Sequence, residues 1–265
     1  MSNKKIPILM YHEIYKPEEC RRLQGLTNPA YNLQLNTFER QISWLAENEI
    51  KTMTIEDLPS GKAVNDRQSV CLTFDDGWKG NYFHAYPVLL KEGFRATFFV
   101  AVGLIGRENY MTWEQLSKMH SSGMSIQSHA LTHRPLTAMK EKDLLFELRE
   151  SKNIIENKLS TRVSHLSLPH GQKQEKIWDL AKEIGYCSIC TSEVGFYIQG
   201  SPDPWLKRII IGDGMSESRF RHVVMGESKA IRKIIAVKWF KDALKKVIGF
   251  RAYRYFYRIV YGTRW

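Results

Sequence analysis

Apolar and polar positions along this chain fall into short blocks whose periods alternate between those of strands and helices. Residues 6–11 read as a strand. Residues 37–48 read as a helix, with Phe38, Ile42 and Leu45 on one face. Ser69–Phe74 alternates as a strand does. Residues 82–92 are helical and close on Gly93, and residues 96–102 form a continuous apolar strand. Thr112 and Gln115 have the spacing of a capping box and open a helix that ends at Gly123. Residues 124–128 are a short strand. A long helix over 140–159 carries Leu144, Leu148, Ile154, Ile155 and Leu159. Then come a strand at 163–168, a helix at 174–184 stopped by Gly185, and a strand at 186–191. This βα alternation places the chain in the α/β class and predicts a parallel sheet or barrel. In such folds chemistry gathers at the carboxyl ends of the strands. Residues 16–33 are the least regular and are expected to form a surface loop. No internal repeat is evident.

Length and composition narrow this picture. The chain has 265 residues, 43% of them hydrophobic and 25% charged, enough for one large buried core. No apolar run approaches the ~18 residues a membrane-spanning helix needs. The N-terminus lacks the apolar core and cleavage site of a secretory signal, which predicts a cytoplasmic location. Four cysteines make no disulfide framework at this length. Cys187 and Cys190 lie on a predicted strand, where residues three apart face opposite ways, so a shared metal or redox role is not expected. The net charge of +11 is uneven: residues 229–265 hold eleven Lys/Arg and one acid, and the remaining 228 residues are nearly balanced. The chain therefore divides into a body, 1–228, and a basic tail, 229–265.

Three strand ends carry unusual chemistry. In LTFDDGW, Asp75 and Asp76 sit where a strand runs out and Gly77 permits a turn. By itself DDG is ordinary turn chemistry. In SIQSHALTHRPL, His129 and His133 are spaced to hold one ion, although two surface histidines are an equal reading of the pair alone. In HLSLPHGQ, Pro169 and Gly171 fix a backbone N–H at a strand tip, a geometry suited to an oxyanion and also to a plain turn. Taken together, Asp76, His129 and His133 would form a two-histidine, one-carboxylate metal triad, with Asp75 beside it as general base. That set is what metal-assisted hydrolysis requires.

With these residues in view, the chain resembles the polysaccharide deacetylases, the NodB-homology group of carbohydrate esterase family 4. The likeness runs from about Ile8 to Gly226 and rests on ILMYHEI, LTFDDGW, GFRATFFV, MTWEQL, SHALTHRPL, SLPHG and LKRIIIGD in order. It implies a distorted (β/α) barrel of about seven units that removes N- or O-acetyl groups from glycans. It further implies Asp75 as base and Asp76, His129 and His133 as ligands of a divalent metal, Zn or else Co, Ni or Fe. The backbone N–H of His170 is the implied oxyanion donor. Trp78 and Trp113 are candidates to stack on a sugar, with core packing as the alternative.

The sequence also departs from that pattern. Ala130 stands where the family usually has Ser or Thr, so a bond fixing the loop is expected to be missing. Ser167 stands where the family usually has the Arg that pairs with the catalytic Asp, and Arg208 is the candidate replacement. The late Leu-x-His motif that normally supplies the general acid is absent. His12, in the Tyr-His that ends the first strand of the branch resembling poly-N-acetylglucosamine deacetylases, is the candidate acid. A barrel is circular, so an acid lost at its last strand can come from its first.

In the tail, residues 238–248 have the pattern of an amphipathic helix with Lys on one face and Trp239, Phe240 and Leu244 on the other. Basic and aromatic residues continue to Trp265. This suits an anionic membrane surface on the inner face, or a helix packed on the barrel. No nucleic-acid motif is present. The expected substrate is an acetylated glycan, an N-acetylhexosamine polymer or a lipid-linked saccharide. The alternatives are an O-acetyl esterase or an inactive glycan-binding protein of the same fold.

Overall fold

Parallel pairing runs through the whole main sheet. The computed structural model describes residues 4–58, 68–232 and 234–236. Among these, nine strands form one sheet: β1 (Ile8–Tyr11), β2 (Lys51–Met53), β3 (Ser69–Phe74), β4 (Thr97–Val100), β5 (Ser125–Ser128), β6 (His165–Ser167), β7 (Ser188–Cys190), β8 (Trp205–Leu206) and β9 (Ile209–Ile210). The order is β8-β7-β6-β5-β4-β3-β1-β9, and β2 pairs with the first half of β3. The edge strands β8 and β9 are joined by Lys207 and Arg208 alone. The chain itself therefore crosses the seam, and the sheet curls into a distorted (β/α) barrel.

Helices α1 (Leu35–Glu47), α2 (Tyr86–Lys91), α3 (Trp113–Ser121), α4 (Glu141–Leu159), α5 (Glu175–Ile184) and α6 (Glu217–Val224) supply the outer layer. The period of two in each strand splits the apolar residues into two clusters. Val70, Leu72 and Phe74 of β3 face the helices, in the large cluster with Leu9, Tyr11, Phe98 and Ile126. Cys71 faces inward, in a smaller plug with Ile8, Phe99, Cys190 and Leu206. Continuing that inward row past Cys71 and Thr73 brings Asp75 to the mouth of the barrel. Cys190 is buried on β7, whereas Cys187 precedes that strand and is exposed; both are free thiols.

The capping box at Thr112 is formed in both directions, with Gln115 N donating to Thr112 Oγ1 at 3.3 Å and Thr112 N to Gln115 Oε1 at 3.0 Å. Three expectations change. The strand predicted over 6–11 breaks at Pro7, whose carbonyl accepts from Cys71 N, while Lys5–Ile6 pairs antiparallel with Tyr197–Ile198. The helix predicted over 82–92 starts as a π turn at Asn81–Ala85, because Pro87 has no N–H to continue an α ladder backwards. Residues 16–33 are more than a surface loop. They contain the turns Pro17–Glu19, Cys20–Leu23 and Pro29–Tyr31, and Leu23 and Leu33 anchor the segment in the core. The predicted helix over 238–248 lies outside the described residues.

Candidate active site

Each site residue follows or ends a strand of the barrel. Tyr11 pairs with Phe74, so His12 and Asp75 emerge at one level from neighbouring strands. Asp76 follows with a left-handed backbone, φ 76°. His129 leaves β5 with its N–H bonded to Val100 O at 2.9 Å. Ala130, His133 and His170 are also left-handed, at φ 60°, 61° and 61°. Such conformations cost roughly 1–3 kcal/mol each and gather where function over-determines the backbone.

Asp76, His129 and His133 bring one donor atom each within 4.8 Å of one another. Asp76 Oδ1 lies 3.1 Å from His129 Nε2 and 3.0 Å from His133 Nε2. That oxygen is buried and makes no hydrogen bond. The other oxygen, Oδ2, accepts from Trp78 Nε1 at 2.8 Å. His129 Nδ1–H donates to Ser167 O at 2.8 Å, which leaves its Nε2 lone pair directed at Asp76. Burial would raise the Asp76 carboxyl, but the imidazoles of His129 and His133 and the charge of His12 hold it well below the usual carboxylate range. An orphaned carboxylate oxygen facing two imidazole nitrogens, one of them tautomer-fixed from behind, fits a divalent cation.

Asp75 is locked from the opposite side. Arg208 Nη1 donates to its Oδ1 and Nη2 to its Oδ2, both at 2.7 Å, in a bidentate fork. Ser167 Oγ donates to Asp75 Oδ2 at 3.0 Å and accepts from Arg208 Nη2 at 2.9 Å. Arg208 is itself held by Thr191 O at 3.0 Å and has no exposed surface. Burial opposes ionisation of Asp75, and the guanidinium outweighs it, so the carboxyl stays below its ordinary range. The small Ser167 side chain leaves room for a guanidinium arriving from the seam. Arg208 thus stands where sequence reasoning put it, against Asp75.

His12 stacks on Tyr31 with ring centroids 4.7 Å apart and planes at 13°. Its Nδ1 is buried without a hydrogen-bond partner. Burial pulls its pKa down, and the charges of Asp76 and Asp75 pull it back up, which couples it to the site. His170 lies at the rim, its ring 5.3 Å from that of His133.

Trp78 is not available to a sugar: it is 4% exposed, bonded to Asp76 and stacked on Tyr110 at 4.6 Å. Trp113 packs against the core at the start of α3. The bond expected to be missing at Ala130 has substitutes, since Ala130 N donates to Ser128 Oγ at 3.1 Å and Glu147 accepts from Leu131 N and Thr132 N. Sequence reasoning missed Glu147, whose signal was a charged residue between Leu144 and Leu148 on the apolar stripe of α4. It also missed Glu13, which is fully buried, accepts from Arg22 Nη2 at 2.8 Å and from Gly80 N at 3.2 Å, and is pushed up by burial to about 7.

Comparison with known proteins gives a consistent picture. The family model described as "Polysaccharide deacetylase" matches residues 62–189. The Bacillus subtilis (strain 168) protein YxkH, assigned by its name to the polysaccharide deacetylases, is 32% identical over 220 residues, 82% of this chain and 75% of that protein. The poly-beta-1,6-N-acetyl-D-glucosamine N-deacetylase of Staphylococcus aureus (strain MSSA476) is 24% identical over 210 residues, 73% of this chain and 71% of its own. The structure of the Streptococcus pyogenes deacetylase PplD in complex with acetate superposes with a TM-score of 0.74 at 26% identity, covering 84% of this chain and 99% of that one.

Proposed function

The chain belongs to the polysaccharide deacetylase family, and from that premise we propose that it is a metal-dependent hydrolase that removes N-acetyl groups from a glycan. The observation that carries this reading is the division of labour between adjacent carboxylates. Asp75 is forked by Arg208 at 2.7 Å, and Asp76 turns its orphaned oxygen to His129 and His133. Asp76, His129 and His133 would hold a divalent cation, which would supply Lewis acidity and make a water easier to deprotonate.

Asp75 is kept ionised, so it can accept a proton from the water that attacks the acetyl carbonyl. The backbone N–H of His170, in the Pro169–Gly171 turn, donates to the oxyanion in this reading. His12 gives a proton to the nitrogen as the C–N bond breaks. An amide anion is a very poor leaving group, so amide hydrolysis needs such a donor. The name of the Staphylococcus aureus relative supports an N-acetylglucosamine polymer as the substrate class.

The test is acetate release from a panel of N-acetylated and O-acetylated glycans, with chelator and after reloading with Zn, Co, Ni or Fe. Chelator-sensitive release from N-acetylated glycans is expected. Release from O-acetyl esters alone would replace the amidase reading with an esterase one. We propose in addition that the basic tail, 229–265, holds the enzyme at an anionic membrane surface, supported by its eleven Lys/Arg against one acid. Deleting it is expected to abolish binding to anionic liposomes and to spare activity on a soluble substrate. Undiminished liposome binding would rule this out.

A further inference from the structure

The loop that carries both histidines is bent twice, with left-handed residues at Ala130 and His133. A strained loop relaxes unless bonds from outside hold it. Here three successive N–H groups are taken up. Ala130 N donates to Ser128 Oγ at 3.1 Å, and Leu131 N and Thr132 N donate to Glu147 Oε2 at 3.0 and 2.9 Å. Thr132 Oγ1 donates to Glu147 Oε1 at 2.5 Å. From the opposite side, Val102 N and Gly103 N donate to the carbonyls of Ala130 and Leu131 at 3.2 and 2.7 Å. A Cβ at Gly103 would come within 2.9 Å of Leu131 O, so the approach depends on glycine there.

Glu147 is 5% exposed and sits among Leu144, Leu148 and Ile155 on the buried stripe of α4. A carboxylate on an apolar stripe is unfavourable unless its oxygens are satisfied. All three of its described donors belong to the residues between the two histidines. One turn further along the same stripe, Ser151 Oγ meets Ser128 Oγ at 2.8 Å. Helix α4 thus breaks its apolar pattern at two positions: Glu147 reaches the histidine loop, and Ser151 reaches Ser128, whose hydroxyl accepts from Ala130 N.

We infer that Glu147 is the positioning residue that sets the backbone from His129 to His133, and so sets the convergence of their imidazoles on Asp76. It does the work that the missing hydroxyl at Ala130 would share. This rests on the metal-site reading above. Glu147 acts through the loop and touches neither substrate nor cation.

The experiment compares the full chain with Glu147→Ala, Glu147→Gln and Ile155→Ala. Each is titrated with Co and Zn against a chromophoric chelator, and the visible spectrum of the Co form is recorded. Glu147→Ala is expected to weaken metal binding about 10–100-fold and to alter the Co spectrum, as loss of an outer-shell partner does. Glu147→Gln keeps one acceptor oxygen for the loop N–H groups and is expected to recover most of the affinity. Ile155→Ala removes packing from the same stripe and is expected to lower thermal stability with unchanged metal affinity. Parental affinity in Glu147→Ala overturns the inference. So does equal weakening in Ile155→Ala, or a Gln variant as weak as the Ala variant. A parent chain that binds neither metal overturns the metal-site reading itself, a result distinct from a parent that binds tightly while Glu147→Ala matches it.

Discussion

Replacing Arg208 by Met keeps the length and apolar body of the side chain and deletes the guanidinium. It removes both 2.7 Å bonds to Asp75, the bond to Ser167 Oγ and the bond to Thr191 O. Asp75 is then a carboxylate, 2% exposed, that keeps only the Ser167 hydroxyl among these partners. Deleting one member of a buried pair costs about 3–5 kcal/mol, because the remaining charge is left uncompensated. For a chain of this size each kcal/mol moves Tm by about 2–4 °C, so a fall of about 6–20 °C is expected. The kinetic consequence has a definite sign. In the parent, Arg208 holds the Asp75 carboxyl below its usual range against the effect of burial, so the base is ionised throughout the neutral range. In Arg208→Met burial acts unopposed by the guanidinium, and the carboxyl rises. Deacetylation kcat/KM, followed by acetate release from pH 5 to 9, should gain an acidic limb on which activity climbs with pH. At pH 7 the loss should reach about 10²–10⁴-fold if the base is largely protonated. Arg208→Lys, which keeps the charge and loses the fork, should fall between the two. An Arg208→Met enzyme with parental kcat/KM and no new limb would refute the reasoning.

His12→Ala and Asp75→Asn are each expected to lose about 10²–10⁴-fold in deacetylation while still binding metal, and wild-type turnover in His12→Ala would remove the acid from the mechanism. Trp78→Phe deletes the 2.8 Å bond to Asp76 Oδ2 and should weaken metal binding about 10–100-fold, read by chelator competition; unchanged affinity would reduce Trp78 to packing. Glu13 is pushed up to about 7 from 4.5, so between those values the folded chain holds a proton that the unfolded chain has released, and stability is lost as pH rises through that window. Denaturant titrations should show a decline of about 3 kcal/mol from pH 4 to 8, flattened in Glu13→Gln, and equal slopes in the two proteins would assign the effect elsewhere.

Much of the fold was legible because its causes are local. The period of two in Ser69–Phe74 fixes which side chains face the barrel interior, and the capping box at Thr112 needs only four residues. Helix ends at Gly93 and Gly185 fall where a left-handed residue is tolerated at no steric cost, at φ 65° and 96°. The errors arose where the chain meets a distant partner. The stretch 16–33 lacks regular periodicity, yet Arg22 reaches Glu13 and Tyr31 covers His12. Trp78, a candidate to stack on a sugar with core packing as the alternative, is covered by Tyr110, a contact that nothing in LTFDDGW shows.

The sequence alone determined the βα alternation, the inward row that ends at Asp75, and the set of groups available for chemistry, since these depend on residues within a few positions of one another. Local pattern alone did not determine which of those groups would meet; the pairing of Arg208 with Asp75 was expected only through the family resemblance, and Glu147 was not expected at all. Arg208 and Asp75 are 133 positions apart, and Glu147 lies 14 to 18 positions beyond the histidines it steadies. They come together because the sheet curls until Lys207 and Arg208 cross its seam and because α4 packs back over β5. Closure of the barrel turns a short Ser167, an acid in an apolar helix stripe and a lone histidine at the first strand end into neighbours of one site. Electrostatics then acts over the few ångströms that only the tertiary structure supplies.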